Sequence, residues 1–140
     1  MADPYRTSVR VGFMHVDMAG IVFYPRYFEL ANAAVESFLR EAGLPFETLH
    51  DTLRITLPTA ELNTRFVKPT RIGDVLDFAL GVEALGRASV KLNLAATCRG
   101  EARIETRLTL VAVSLDDHRP RPLPEPLRAA FSKHLQAGEA

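Results

Sequence analysis

The stretch Asp17-Met18-Ala19-Gly20-Ile21-Val22-Phe23-Tyr24-Pro25-Arg26-Tyr27-Phe28 decides how the chain is read, because it carries one acid through an apolar turn and straight into a helix start. Ala19 and Gly20 are small enough for the backbone to turn tightly or to lie close against something else. Pro25 suits the first turn of a helix, where its fixed φ and missing N–H cost nothing. The amides around Tyr24, Arg26 and Tyr27 then form the positive end of a helix dipole. A carboxylate beside unpaired N–H groups is what a site needs to attack a carbonyl and to stabilise the oxyanion that forms. On local chemistry alone the plainer alternatives stand beside this one: Asp17 as a cap or turn residue, and Gly20 as a turn glycine.

Upstream, Tyr5, Thr7, Val9, Val11 and Phe13 alternate with Arg6, Ser8 and Arg10. That period of two predicts a half-buried strand over residues 5–13. From Pro25 to Ala42 the period changes: Phe28, Ala31, Val35, Phe38 and Ala42 recur at three- and four-residue steps, the apolar stripe of one long helix. Gly43, followed by Leu44 and Pro45, ends it. Past a loop over residues 44–53, four further runs predict strands at about 55–67, 74–85, 87–99 and 102–115. Leu62, Thr64 and Phe66 alternate, as do Leu76, Phe78, Leu80 and Val82, and Val90, Leu92, Leu94 and Ala96. From Leu108 the last run is apolar on both faces, which predicts an inner strand or an interface. Short links at residues 68–73, at Gly86 and at 99–101 fit turns between antiparallel neighbours. A proline-rich segment from Arg119 to Pro126 precedes a short terminal helix carrying Leu127, Ala130, Phe131 and Leu135. One long helix followed by such a meander predicts an α+β fold, with a curled antiparallel sheet of about five strands wrapped around one long central helix.

The 140 residues predict a single domain, 1–140, around one core. Seventeen basic and seventeen acidic residues cancel, and no run of Lys/Arg with interleaved aromatics occurs, so no nucleic-acid partner is expected. Residues 1–6 lack an apolar signal-peptide core, and no stretch reaches the ~18 apolar residues of a membrane helix. A cytoplasmic protein without a membrane partner is expected. Cys98 falls in register with Leu92, Leu94 and Ala96, as a small core hydrophobe, and no disulfide can form within the chain. His15, His50, His118 and His134 are scattered, so no metal site is expected. Glycine-rich phosphate loops and nucleophile elbows are absent.

The block from Asp17 to Phe28 resembles the signature of the 4-hydroxybenzoyl-CoA thioesterase family of hotdog-fold proteins. Arg65-Phe66-Val67-Lys68-Pro69, followed by Gly73-Asp74-Val75-Leu76, is similar to the family's link between its second and third strands. The likeness covers about residues 7–115 and implies a hotdog fold and hydrolysis of an acyl-CoA thioester. By this resemblance Asp17 is the catalytic acid, as nucleophile or as general base on water, and the Tyr24 backbone N–H is the oxyanion donor. Gly20 would admit the acyl group. Coenzyme A enters as part of the substrate, and no separate cofactor is implied.

The chain departs from the pattern at two places. His15 stands where many members carry a second acid, and Tyr24 stands seven residues after Asp17 where a short-chain branch has His. The second departure matches the hydroxybenzoyl branch and leans the substrate toward an aromatic acyl group. In that branch an acid at the position of Asn32 meets the ring hydroxyl; Asn32 is here either a polar contact in the acyl pocket or a hydrogen-bonded core amide. Arg87, Lys91 and Arg128 would suit the phosphates of coenzyme A, or are solvated surface cations. The resemblance also implies a homodimer or homotetramer, with the acyl-CoA bound between subunits, and the two-sided run at Val111, Val113 and Leu115 needs cover. The alternatives are a short-chain acyl-CoA or acyl-carrier thioesterase, and a non-catalytic acyl-CoA-binding module. A hydroxyacyl dehydratase of the same fold would need a catalytic His, and none occurs from Val16 to Phe28.

Overall fold

The alternating runs become strands of one antiparallel sheet in a computed structural model that describes residues 2–136. β1 (Tyr5–Arg10), β3 (Thr59–Phe66), β4 (Val75–Leu85), β5 (Ser89–Cys98) and β6 (Glu101–Val111) pair in the order β1-β4-β5-β6-β3. Direct pairs such as Phe78↔Ala96 and Ala96↔Ile104 put the apolar positions of successive strands on one face. Leu76, Phe78, Leu80, Val82, Leu92, Leu94, Ala96 and Cys98 are buried there, so Cys98 is the small core residue its register predicts.

Helix α1 (Arg26–Glu41) lies against β1 and β4 and buries Tyr27, Leu30, Ala31, Ala34, Val35, Phe38 and Leu39. The stripe is therefore rotated from the expected one. Phe28 and Ala42, expected on it, are not buried, because the sheet covers the Leu30–Ala34 side of the helix. The helix stops where Gly43, at φ +80°, closes it: Gly43 N–H bonds the Arg40 carbonyl and Leu44 N–H the Leu39 carbonyl. This left-handed stop uses glycine's freedom at positive φ, and buried Leu44 accompanies it.

Several boundaries differ from the expectation. The strand at 5–13 ends at Arg10, and Phe13 enters a short 3₁₀ turn, Phe13–His15, where it is 85% exposed. The loop expected at 44–53 contains α2 (Phe46–Asp51), which buries Leu49. The run at 55–67 divides at Leu57-Pro58, since Pro58 brings no N–H to a ladder, into β2 (Ile55–Thr56) and β3. The run at 102–115 divides at Ala112, whose N–H turns to the Ala88 carbonyl; β7 (Val113–Ser114) then pairs with β2. Val111, Val113 and Leu115 are thus partly buried within the chain and do not themselves demand a partner. The terminal helix α3 (Glu125–Ser132) buries Leu127, Ala130 and Phe131, with Phe131 stacked on Phe38 at 5.3 Å. Leu135 lies beyond that helix, bridged to Val82.

Because α1 lies chiefly over β1 and β4, the same inner face is left partly open over β3, while Ile104, Thr106, Leu108 and Leu110 of β6 are buried. Leu62 and Phe66, inward by register with Leu108 and Ile104, remain 45% and 48% exposed. The alternation in β3 is as expected, but its cover is partial: the Tyr24, Tyr27 and Phe28 rings reach Phe66.

Candidate active site

Asp17 sits at the tip of a small hairpin. Val16 bridges Val22, Phe23 N–H bonds the His15 carbonyl at 3.0 Å, and Asp17 N–H bonds the Ile21 carbonyl at 3.0 Å. Gly20 N–H returns to the Asp17 carbonyl, with Gly20 at φ +78°. An added Cβ at Gly20 would meet nothing within 4 Å, so the glycine is required by its φ, and the space beside it is open. The Asp17 carboxylate is solvent-exposed; Oδ1 accepts the Ala19 N–H at 2.9 Å, and Oδ2 has no hydrogen-bond partner among the described residues. One carboxylate oxygen fixes the side chain and the other remains available.

The chain passes from this hairpin into α1 through Tyr24 and Pro25. Arg26, Tyr27 and Phe28 donate their N–H groups to the carbonyls of Phe23, Tyr24 and Pro25, at 2.8, 3.2 and 3.2 Å. These tight bonds occupy amides expected to be free at Arg26 and Tyr27. Pro25 has none to offer, so the Tyr24 N–H is left in the helix entry without a partner among the described residues. The Tyr24 ring is exposed and packs edge-on against Phe23 and Phe66. His15, where the family pattern has an acid, accepts the Gly12 N–H on Nδ1 at 2.9 Å, which ties its ring to the 3₁₀ turn.

The link from β3 to β4, expected as a turn and as similar to the family's link between strands, also carries this hairpin. Val22 N–H bonds the Thr70 carbonyl at 2.8 Å, and Ile72 N–H bonds the Gly20 carbonyl at 3.0 Å. The Tyr27 hydroxyl, buried, donates to Thr70 Oγ1 at 3.0 Å. Asp74 closes the segment by accepting the Arg71 N–H on Oδ2 at 2.9 Å. That bond, with the Arg99 and Arg103 guanidinium groups beside it, holds the Asp74 carboxyl below its ordinary range against the opposing effect of burial. The Gly73-Asp74 pair was the visible signal; the burial of Thr70 and Arg103 had none.

Between α1 and the strands β6 and β3 runs a groove of about 310 Å³, lined by Phe28, Ala31, Asn32, Val35, Leu62 and Leu108. Asn32 stands exposed at its rim with no hydrogen-bond partner among the described residues, so it is not a bonded core amide.

The expected phosphate-binding cations lie elsewhere. Arg128 Nη2 bonds the Gly86 and Arg87 carbonyls at 2.6 and 3.1 Å, tying α3 to the β4–β5 turn. Arg87 is exposed on that turn, and Lys91 is on the outer face of the sheet beside Glu83 and Arg107. The turn and the Asp17 hairpin are at opposite ends of the eleven-residue β4, roughly 30 Å apart along the strand. One chain therefore brings Asp17, Gly20 and Tyr24 together but not Arg87, Lys91 and Arg128. Among the described residues there is no cluster of metal-ligating side chains, and no helix is long and apolar enough to cross a membrane.

Comparison with known proteins agrees with the fold. The family model described as the thioesterase-like superfamily matches residues 11–131. A 1,4-dihydroxy-2-naphthoyl-CoA hydrolase of Thermosynechococcus vestitus is 27% identical over 120 residues, which are 85% of this chain and 82% of that protein. A solved 1,4-dihydroxy-2-naphthoyl-CoA thioesterase from Synechocystis superposes with a TM-score of 0.84 at 19% identity, covering 91% of this chain and 95% of the other. A solved gentisyl-coenzyme A thioesterase gives a TM-score of 0.82 at 28% identity, over 91% and 99% of the two chains.

Proposed function

The chain belongs to the thioesterase-like superfamily, and we propose that it hydrolyses an aromatic acyl-CoA to the free acid and coenzyme A. The observation that carries the proposal is an exposed Asp17 carboxylate on the hairpin that leads directly into the Tyr24 N–H, which is without a partner among the described residues at the start of α1. The thioester carbonyl oxygen would point at that N–H and at the helix dipole behind it. Asp17 then acts in one of two ways. As nucleophile, a carboxylate oxygen bonds to the carbonyl carbon, the tetrahedral oxyanion collapses with loss of the coenzyme A thiolate, and water cleaves the resulting mixed anhydride. As general base, Asp17 takes a proton from a water that attacks the same carbon.

An aromatic acyl group is supported by the apolar groove with Asn32 at its rim and by the substrates for which the relatives are named. Gly20 leaves open space beside the acid for the acyl carbon. The coenzyme A moiety is part of the substrate, and no other cofactor enters. Arg87 and Lys91 would meet its phosphates from another subunit, with Arg128 holding the turn that presents Arg87.

We further read the working unit as a homodimer or homotetramer. Phe13, Met14, Met18, Phe23, Leu62 and Ile72 are exposed apolar side chains on the hairpin, on its supporting segment and on β3. β3 is also a sheet edge, with backbone groups open to pairing. We assign the enzyme to the cytoplasm, a compartment that suits the single unpaired Cys98.

Release of free thiol from a panel of aromatic and short-chain acyl-CoAs tests the activity. Turnover is expected to favour aroyl thioesters. A preference for short acyl chains would replace the aromatic reading, and binding without thiol release from any member would show a non-catalytic module.

A further inference from the structure

Arg103 is the one buried arginine among the described residues, 5% exposed on β6. Its Nη1 donates to the Pro69 carbonyl at 2.6 Å and lies 3.5 Å from Asp74 Oδ2, while Nη2 reaches Glu101 Oε1 at 3.1 Å. The backbone carbonyl of Arg103 accepts the N–H groups of Val67 and Lys68 at 2.8 and 3.3 Å. Lys68 Nζ completes the cluster on Glu101 Oε2 at 2.6 Å. Yet Arg103 Nε is buried with no hydrogen-bond partner. An unpaired buried donor is destabilising, and a buried ion pair is often no better for stability than apolar packing. The cluster is therefore a poor device for holding the fold together. It is a good one for fixing a position.

The position it fixes is that of residues 67–74. Arg103 grips this segment from the sheet side at Val67, Lys68, Pro69 and Asp74. On its other side the segment holds Gly20, Val22 and Tyr27, through the Ile72 N–H, the Thr70 carbonyl and the Thr70 hydroxyl. Val22 and Tyr27 flank Tyr24 in the chain, and Asp17 is bonded to Gly20 and Ile21 across the hairpin turn. From this continuous chain of bonds we infer that Arg103 is a positioning residue, which sets the relative placement of the Asp17 carboxylate and the Tyr24 amide without touching substrate. The inference rests on the hydrolase reading given above. A misplacement of about 1 Å between reacting groups is enough to cost on the order of 10²-fold in rate. Lys cannot replace Arg here: its single ammonium keeps the charge but loses the fork that spans Pro69, Asp74 and Glu101.

The test is Arg103→Lys in the full chain, with Asp74→Asn as a second variant should the first fold poorly. kcat and KM are measured on the best aroyl-CoA of the panel, and amide hydrogen exchange is followed over residues 16–24. We expect kcat to fall about 10- to 100-fold with KM within about threefold, because the groove residues are untouched, and exchange over 16–24 to accelerate while the core strands stay protected. In an Asp17→Asn background the same change should cost little further rate, since the acid it places is gone. A folded Arg103→Lys protein with wild-type kcat and unchanged exchange over 16–24 would overturn the inference, as would faster exchange spread evenly over the whole chain. If wild type released no thiol from any thioester, the hydrolase reading would fall, and the exchange over 16–24 would still decide whether Arg103 holds the hairpin.

Discussion

Replacing Tyr24 by Pro removes its backbone N–H along with its exposed ring, and paired with Tyr24→Ala, which removes the ring alone, it is the sharpest probe of the oxyanion donor. Tyr24 is the second residue of the turn closed by Arg26 N–H on the Phe23 carbonyl at 2.8 Å, a turn position in which proline is favoured. Phe23, extended in its ladder with His15, suits the residue before a proline. The Tyr24 N–H has no partner among the described residues, so no structural hydrogen bond is lost. Loss of one oxyanion donor typically costs ~10²–10³ in kcat, about 2.7–4 kcal/mol. Here Pro25 offers no N–H and the next three amides are spent within the turn, so no neighbour can substitute and the full loss is expected. Tyr24→Ala is the control: it removes the edge-on contacts to Phe23 and Phe66 but keeps the amide, and should lower kcat less than about tenfold. Steady-state thiol release from an aroyl-CoA, with circular dichroism to verify folding, measures both. A folded Tyr24→Pro protein as active as Tyr24→Ala would refute the assignment of this amide.

Asn32→Ala should slow turnover of a hydroxylated aroyl-CoA more than that of its unsubstituted analogue, by up to ~1–3 kcal/mol in kcat/KM, since a polar contact enclosed by the ligand is lost; equal losses would mean Asn32 only shapes the groove. Asp74 is held below the ordinary carboxylate range by the Arg71 N–H and by Arg99 and Arg103, so its stabilisation is complete above the unfolded value of about 3.9 and is lost as pH falls through the lower folded one. The Tm difference between wild type and Asp74→Asn should accordingly be largest near neutral pH and shrink below about pH 4; a constant difference across that range would contradict the linkage. Light scattering should find a dimer or tetramer of the 15.5 kDa chain at micromolar concentration, and Leu62→Glu should shift it toward monomer; a wild-type monomer would contradict the proposed assembly.

What was legible in the sequence was what local chemistry decides. Pro25 and Gly43 mark the ends of α1 because a missing N–H and a left-handed φ act on the backbone where they occur. The alternation from Leu76 to Val82 names the inner face because side-chain period is a property of the strand itself. Burial, by contrast, depends on what the chain brings over that face. Leu62 and Phe66 have the same alternation as Leu80 and Val82 yet stay half exposed, because α1 lies chiefly against β1 and β4 and only its first-turn rings, Tyr27 and Phe28, reach Phe66. Phe13 fits the period of β1 but lies past the turn at Gly12. The site divides in the same way. Asp17 and Tyr24 lie within one short stretch, hairpin and helix entry, that could be read from sequence, whereas Arg103 and Thr70 reach it only through tertiary bonds. Arg87, Lys91 and Arg128 could not be placed without the length of β4.

The claim on which all of this depends is that Asp17 does the chemistry. Its exposed carboxylate is the group that would attack the carbonyl or deprotonate water. Asn retains the shape of the side chain and the oxygen that accepts the Ala19 N–H, and removes the charge. The decisive measurement is kcat of purified, folded Asp17→Asn on the best acyl-CoA substrate, alongside the affinity of that substrate for the same protein. A fall of at least ~10²-fold in kcat with binding retained is the predicted result, because the Tyr24 amide and the groove are untouched; turnover near the wild-type rate would make Asp17 a turn residue and contradict the mechanism.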